Sequence, residues 1–281
     1  MTSRRVSTGL VKYTIAILIF ARPVLAEAAP QAELWAKWQA HNDASAATID
    51  YGTWNRFLQT YVRIGSDGIA RIPYARVSSS DRAALAADLA RLGNVPISTY
   101  SRREQFAFWV NLYNELTAKL ILDHYPVSSI KEIDISPGLF SSGPWGKKLI
   151  LIEGETLSLD DIEHRILRPI WRDPRIHYAV NCAALGCPNL QSSAFTAANT
   201  AVLLEKAAHD YVNHPRGAMV RNGKLTVSSI YVWYEDDFGG TQRGVIDHLA
   251  RYAKSQLAAS LSGVSRISGD HYDWTLNDLR E

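Results

Sequence analysis

Ala218-Met-Val-Arg-Asn-Gly-Lys-Leu-Thr-Val-Ser228 is two short apolar, partly β-branched runs joined by Asn-Gly. A tight hairpin turn needs positive φ at both central residues, which Asn222-Gly223 tolerates best, so the stretch predicts an antiparallel hairpin. Around it, helical and extended patterns mix without a regular βαβ alternation. The expected class is α+β: a central, mainly antiparallel sheet with this hairpin, flanked by helices, plus an N-terminal helical region. The boundaries read as a leader over 1–26, helical residues 27–94 and a main α+β domain over 95–281.

Working outward, residues 31–40 and 53–62 carry apolar and aromatic side chains at helical spacing. Ser80-Asp81 opens an amphipathic helix that runs to Leu92 and closes at Gly93-Asn94. Residues 101–124 form the strongest helical pattern, with Phe106, Trp109, Leu112, Tyr113, Leu116 and Leu120 on one broad face and Pro126 beyond its end. Residues 147–153 read as a strand turning at Gly154-Glu155. Residues 158–167 read as a short helix capped by Ser158 and ended by Pro169. Residues 176–180 read as a buried strand, and 196–214 and 244–261 as further helices.

The first residues combine Arg4, Arg5 and Lys12 with an apolar run, Tyr13-Thr-Ile-Ala-Ile-Leu-Ile-Phe20, and Val24-Leu25-Ala26. That pattern predicts a secretory signal cleaved after Ala26, with an apolar run too short to span a bilayer. Removing 1–26 takes away four basic residues and no acid. Lys+Arg then falls from 30 to 26 against 28 acids, and the net charge of +2 becomes −2. A basic excess that belongs to the leader predicts no nucleic-acid partner. The expected location is periplasmic or secreted, with no stable membrane insertion after cleavage. Phosphate-binding, dinucleotide, Gly-x-Ser-x-Gly and His-Glu-x-x-His motifs are absent, so no cofactor is expected.

Both cysteines of the chain lie in Arg175-Ile-His-Tyr-Ala-Val-Asn-Cys-Ala-Ala-Leu-Gly-Cys-Pro-Asn-Leu190. Cys182 and Cys187 beside a turn admit a nucleophile, a disulfide or an inert buried pair. A metal site would need more ligands than the spacing offers, so none is expected. A thiol nucleophile requires a base and an orienting group. His177 is the nearest base, although alternation along a regular strand turns it away from Cys182. Glu163, His164, Asn181 and Asp237 are further candidates to orient or replace it, and Arg168 can clamp a carboxylate. Asn111 and Asn114, three apart in the apolar helix, must bond to something and read first as architectural, with cleft lining as the lesser role.

Phe108-Trp-Val-Asn-Leu-Tyr-Asn114, Leu159-Asp-Asp-Ile-Glu-His-Arg-Ile-Leu-Arg168, Asp173-Pro-Arg-Ile-His-Tyr-Ala-Val-Asn-Cys182 with Cys187-Pro188, Val227-Ser-Ser-Ile with Trp233-Tyr234 and Asp237-Phe238, and Tyr272-Asp-Trp-Thr-Leu-Asn277 together resemble the domain of unknown function 547 family. The likeness runs in order over about residues 95–277. It implies a cysteine-dependent hydrolase in the papain-like or transglutaminase-like manner, acting on an amide or peptide bond, such as that of a small thiol peptide like glutathione. On that resemblance Cys182, His177 and Glu163 are nucleophile, base and orienting acid, with Cys187 or His164 able to exchange roles with them. The expected partner is a small-molecule or peptide substrate. The alternative expectation is a non-enzymatic periplasmic binding or scaffold domain stapled by a Cys182–Cys187 disulfide.

Overall fold

The computed structural model describes residues 30–138 and 143–279, so the expected leader lies outside the described residues. Trp54, Phe57, Leu58 and Tyr61 recur at helical spacing, and α1 (Gly52–Tyr61) buries all four. A two-rung hairpin, β1 (Arg63–Ile64) with β2 (Ala70–Arg71), leads to α2 (Ser79–Leu92), where Ser78 accepts the Asp81 N–H as the capping residue. Ser101 caps α3 (Arg102–His124) in the same way through Glu104. The one broad apolar face expected of α3 proves too narrow a description. Phe106 through Ala118 are all buried, so α3 is the axis of the molecule, with other elements on every side.

Residues 31–40 form only one 3-10 turn, Ala36–Gln39. The chain ahead of that turn gives the Glu33 and Trp35 N–H groups to the carbonyls of His164 and Arg165 instead of to its own helix. Trp38 then stands edge-on against Trp109 of α3 at 5.1 Å, so the N-terminal residues share one core with the main domain.

β3 (Ile150–Ile152) and β4 (Glu155–Leu157) pair as a second small hairpin. After a π-helical stretch, α4 (Arg168–Trp171) and α5 (Ile176–Ala179) are single turns, and α6 (Thr200–Val212) follows. The strand expected over 176–180 is therefore helical. Pro174 starts a turn in which the His177, Tyr178 and Val180 N–H groups bond back to residues 174, 175 and 176. Five residues carry too little periodicity to separate strand from helix.

The expected hairpin is present as β5 (Ala218–Arg221) and β6 (Lys224–Ser228), with Asn222 at φ 50° and Gly223 at φ 71°. After α7 (Ile230–Trp233) the chain forms α8 (Gln242–Tyr252) and α9 (Ser255–Leu261) where one long helix was expected. The break occurs because Asn213 captures the backbone there: its side chain donates to the Tyr252 carbonyl and accepts from the Lys254 N–H. β7 (Ile267–His271) adds in parallel to β6. The α+β class holds, with the strands of the described residues spread over three small sheets around a central helix in place of one central sheet.

Candidate active site

Asp161–Leu167 is wound as a π-helix. Ser158 caps it as expected, accepting the Asp161 N–H at 3.2 Å. Pro169 does not end the helix. Having no N–H, it leaves one carbonyl of the preceding turn without a helical partner; the Glu33 and Trp35 N–H groups bond to the His164 and Arg165 carbonyls there, and α4 continues until Arg172 turns left-handed at φ 51°. The wide turn places Glu163, His164 and Arg168 all in the interior.

There they meet His177, which projects from α5 and is 3% exposed. Its Nε2 lies 2.7 Å from Asp237 Oδ2, and its Nδ1 lies 3.7 Å from Glu163 Oε1, an ion-pair distance. Its ring stacks on Tyr234 at 4.3 Å and 16°. Arg168 completes the group: Nε donates to Asp237 Oδ2 at 2.6 Å, Nη1 to the Pro30 carbonyl at 2.7 Å, and Nη1 stands 3.1 Å from His164 Nδ1.

Burial alone would raise the pKa of Glu163, but His164, His177 and Arg168 outweigh it and bring the carboxyl down to about 2. Asp237 likewise falls to about 2, against burial, through His177 and Arg168. Burial disfavours the charged form of His177, yet the two carboxylates raise its pKa. His164, with burial the largest cause and Arg168 adding to it, is lowered to about 4. The cluster is thus two anions balanced by Arg168 and a His177 imidazolium, with His164 neutral.

The thiols form a second group. The Cys182 N–H donates to Cys187 Sγ at 3.0 Å, and the Tyr272 hydroxyl lies 3.0 Å from each sulfur. Cys182 is partly exposed and Cys187 buried, both as free thiols. Contact with Cys187, then burial, raises Cys182 well above an ordinary thiol. Burial pushes Cys187 up too. The Cys182 side chain, the Tyr272 hydroxyl and the backbone N–H groups of Cys182 and Ala184 outweigh that push and lower it. Cys187 therefore carries the first negative charge of the pair, and Cys182 keeps its proton.

The loop between the sulfurs is fixed from both sides. Asn114 of α3 donates to the Ala179 carbonyl at 2.9 Å and accepts the Asn181 N–H at 2.8 Å. Asn181 in turn accepts the Ala183 N–H and donates to the Pro188 carbonyl. Residues 272–277 lie antiparallel along the loop, through Leu185 N–H to Thr275 O, Gly186 N–H to Asp273 O and Asn277 N–H to Ala183 O. Asn111 serves elsewhere, making two bonds to the backbone of Phe195.

The structure thus gathers Glu163, His164, Arg168, His177 and Asp237 in one cluster, and Asn114, Asn181, Cys182 and Cys187 in the other. Glu163 lies within electrostatic reach of Cys182. Among the described residues no histidine nitrogen is hydrogen-bonded to either sulfur. Strand alternation is not the reason: both His177 nitrogens already face carboxylates. In the thiol turn the N–H groups of Cys182, Ala183, Leu185 and Gly186 are taken up by the bonds just described, and that of Cys187 by the Ala184 carbonyl. Tyr234 and Tyr272 were visible in the sequence only as parts of aromatic motifs, with nothing local to show that one would carry His177 and the other both sulfurs.

The arrangement defines an α+β protein with a buried His–carboxylate–Arg cluster beside a thiol pair. Residues 97–212 match the family model described as Protein of unknown function, DUF547, the family that the motifs of the chain resemble. The match includes Glu163, His177, Cys182 and Cys187, and leaves Tyr234, Asp237 and Tyr272 outside it. No curated protein and no solved structure matches the chain.

Proposed function

We propose that the protein is a secreted or periplasmic thiol-dependent hydrolase that cleaves an amide or peptide bond, with the leader 1–26 removed after Ala26. The observation that carries this reading is Cys182: the accessible member of the thiol pair, set beside a buried cluster of histidines and carboxylates. Of the two thiols Cys187 gives up its proton the more readily, and when it has done so Cys182 is still protonated. Transfer of the Cys182 proton to Cys187, along sulfurs that share the Tyr272 hydroxyl, leaves a Cys182 thiolate. That thiolate attacks the amide carbonyl carbon. The amine leaves with the proton held by Cys187, and water hydrolyses the Cys182 thioester. Glu163, the member of the cluster within electrostatic reach of Cys182, is itself paired with His177.

The test compares Cys182→Ser and Cys187→Ser on glutathione and on short acyl-peptide amides. Cys182→Ser is expected to lose at least about a thousandfold in kcat/KM, and Cys187→Ser less. Unchanged turnover in both variants ends the proposal.

One observation favours a second reading, in which the pair closes as a structural disulfide in a non-enzymatic scaffold: both sulfurs touch the same hydroxyl. Intact mass after alkylation, with and without reductant, separates the readings. Two blocked sulfurs that reductant frees only on unfolding favour the staple, whereas an alkylatable Cys182 favours the enzyme.

A further inference from the structure

Beside the thiols stands a corner of half-buried aromatic rings. Tyr272, whose hydroxyl touches both sulfurs, packs on Trp233 with centroids 4.9 Å apart and on Trp274 at 4.7 Å. Trp233 stacks on Trp274 at 5.7 Å and 27°, and Trp145 meets Trp274 edge-on at 5.6 Å and 70°. These rings arrive from three separate stretches of chain, and all four remain partly open to solvent.

Packing alone does not call for that exposure, since Trp38, Trp54 and Trp109 are at most 2% exposed. The other half-buried tryptophans are covered differently: Arg165 lies over Trp35 at 4.5 Å and Arg102 over Trp171 at 5.4 Å. Among the described residues no cation lies over Trp145 or Trp233. Lys131 sits over Trp274 at 4.6 Å, so a cationic ligand would meet like charge there. A planar neutral ring suits the corner better. The surfaces lie at 27°, 56° and 70° to one another, and so offer stacked and edge-to-face contacts at once. A sugar face uses only the stacked one.

We propose that this corner is the substrate subsite for an aromatic side chain, placed next to the amide bond that Cys182 attacks. The assignment rests on the hydrolase reading for the word substrate, but the subsite is testable without turnover. The probes are N-(2-phenylethyl)iodoacetamide and N-(2-cyclohexylethyl)iodoacetamide, each forming a thioether with release of iodide and the thiol proton. Rates at Cys182 are read by peptide mass mapping and normalised to free cysteine. The aromatic probe is expected to react roughly tenfold faster with saturation, Trp233→Leu to abolish the preference, and Trp233→Tyr to keep part of it.

Equal normalised rates, no alkylation of Cys182 by either probe, or a preference that survives Trp233→Leu in a variant with native circular dichroism each overturn the assignment. Protection of Cys182 by a chito-oligosaccharide, without discrimination between the probes, makes the corner a carbohydrate site and overturns it too. If Cys182→Ser retains full turnover while the ring preference holds, the hydrolase reading fails and the subsite stands. If turnover is lost and no preference appears, the subsite alone fails.

Discussion

Glu115 on α3 has no exposed surface, and neither carboxyl oxygen has a hydrogen-bond partner among the described residues. Burial raises its pKa well above the ordinary value, the nearby Asp88 adds to this, and Arg91 opposes it. The folded protein therefore holds Glu115 as a neutral acid. Its carboxyl is bound more tightly by protons when folded than when unfolded, so its contribution to stability is greatest below the unfolded pKa of about 4.3 and falls as pH rises through the folded one. Glu115→Gln removes that dependence. In urea unfolding, the variant should gain on the parent from pH 5 to pH 8, by on the order of 1–2 kcal/mol at the upper end. A difference that stays flat or shrinks with pH would show the carboxyl to be ionised. Nothing local in the sequence distinguishes this acid from a solvated one, because its environment is set by α2 packing across α3.

At the scale of elements, α3 was legible because its signals are local: a long apolar period and Pro126. Its function was legible only in part. Asn111 and Asn114 were recognisable as amides that must find partners, and the partners turn out to be backbone at Phe195 and at 179–181. The helical turn at 176–179 and the break between α8 and α9 were not legible, since each depends on side chains far along the chain or on too few residues to show a period. Asn114→Ala leaves the Ala179 carbonyl and the Asn181 N–H buried without their partners, at a cost of about 2–4 kcal/mol. It should also raise the alkylation rate of Cys182 by loosening the thiol loop, whereas Asn111→Ala should destabilise without that change. Amide exchange at Asn181, with paired iodoacetamide rates, checks the contrast, and equal effects of the two variants on Cys182 would refute it.

Across the whole molecule, the thiol site exists because distant segments converge. The π-helical stretch, the thiol loop, the Tyr234–Asp237 turn and residues 272–277 each bear a motif, but their juxtaposition is long-range and no single stretch encodes it. The tightest of these joints is at Gly186, where a Cβ would come within 2.8 Å of the Asp273 nitrogen and 2.9 Å of its carbonyl oxygen. Those are backbone atoms, so they cannot rotate away, and residues 272–277 would have to lift. Gly186→Ala should therefore cost about 2 kcal/mol or more and disturb both sulfurs, since Tyr272 moves with the segment that carries it. Gly263→Ala is the matched control, because a Cβ there meets nothing within 4 Å. Urea midpoints and the alkylation rates of Cys182 and Cys187 should change together in the first variant and stay at parental values in the second. If Gly186→Ala lowers stability and leaves both thiol rates untouched, the closing segment is packing alone and Tyr272 does not govern the pair.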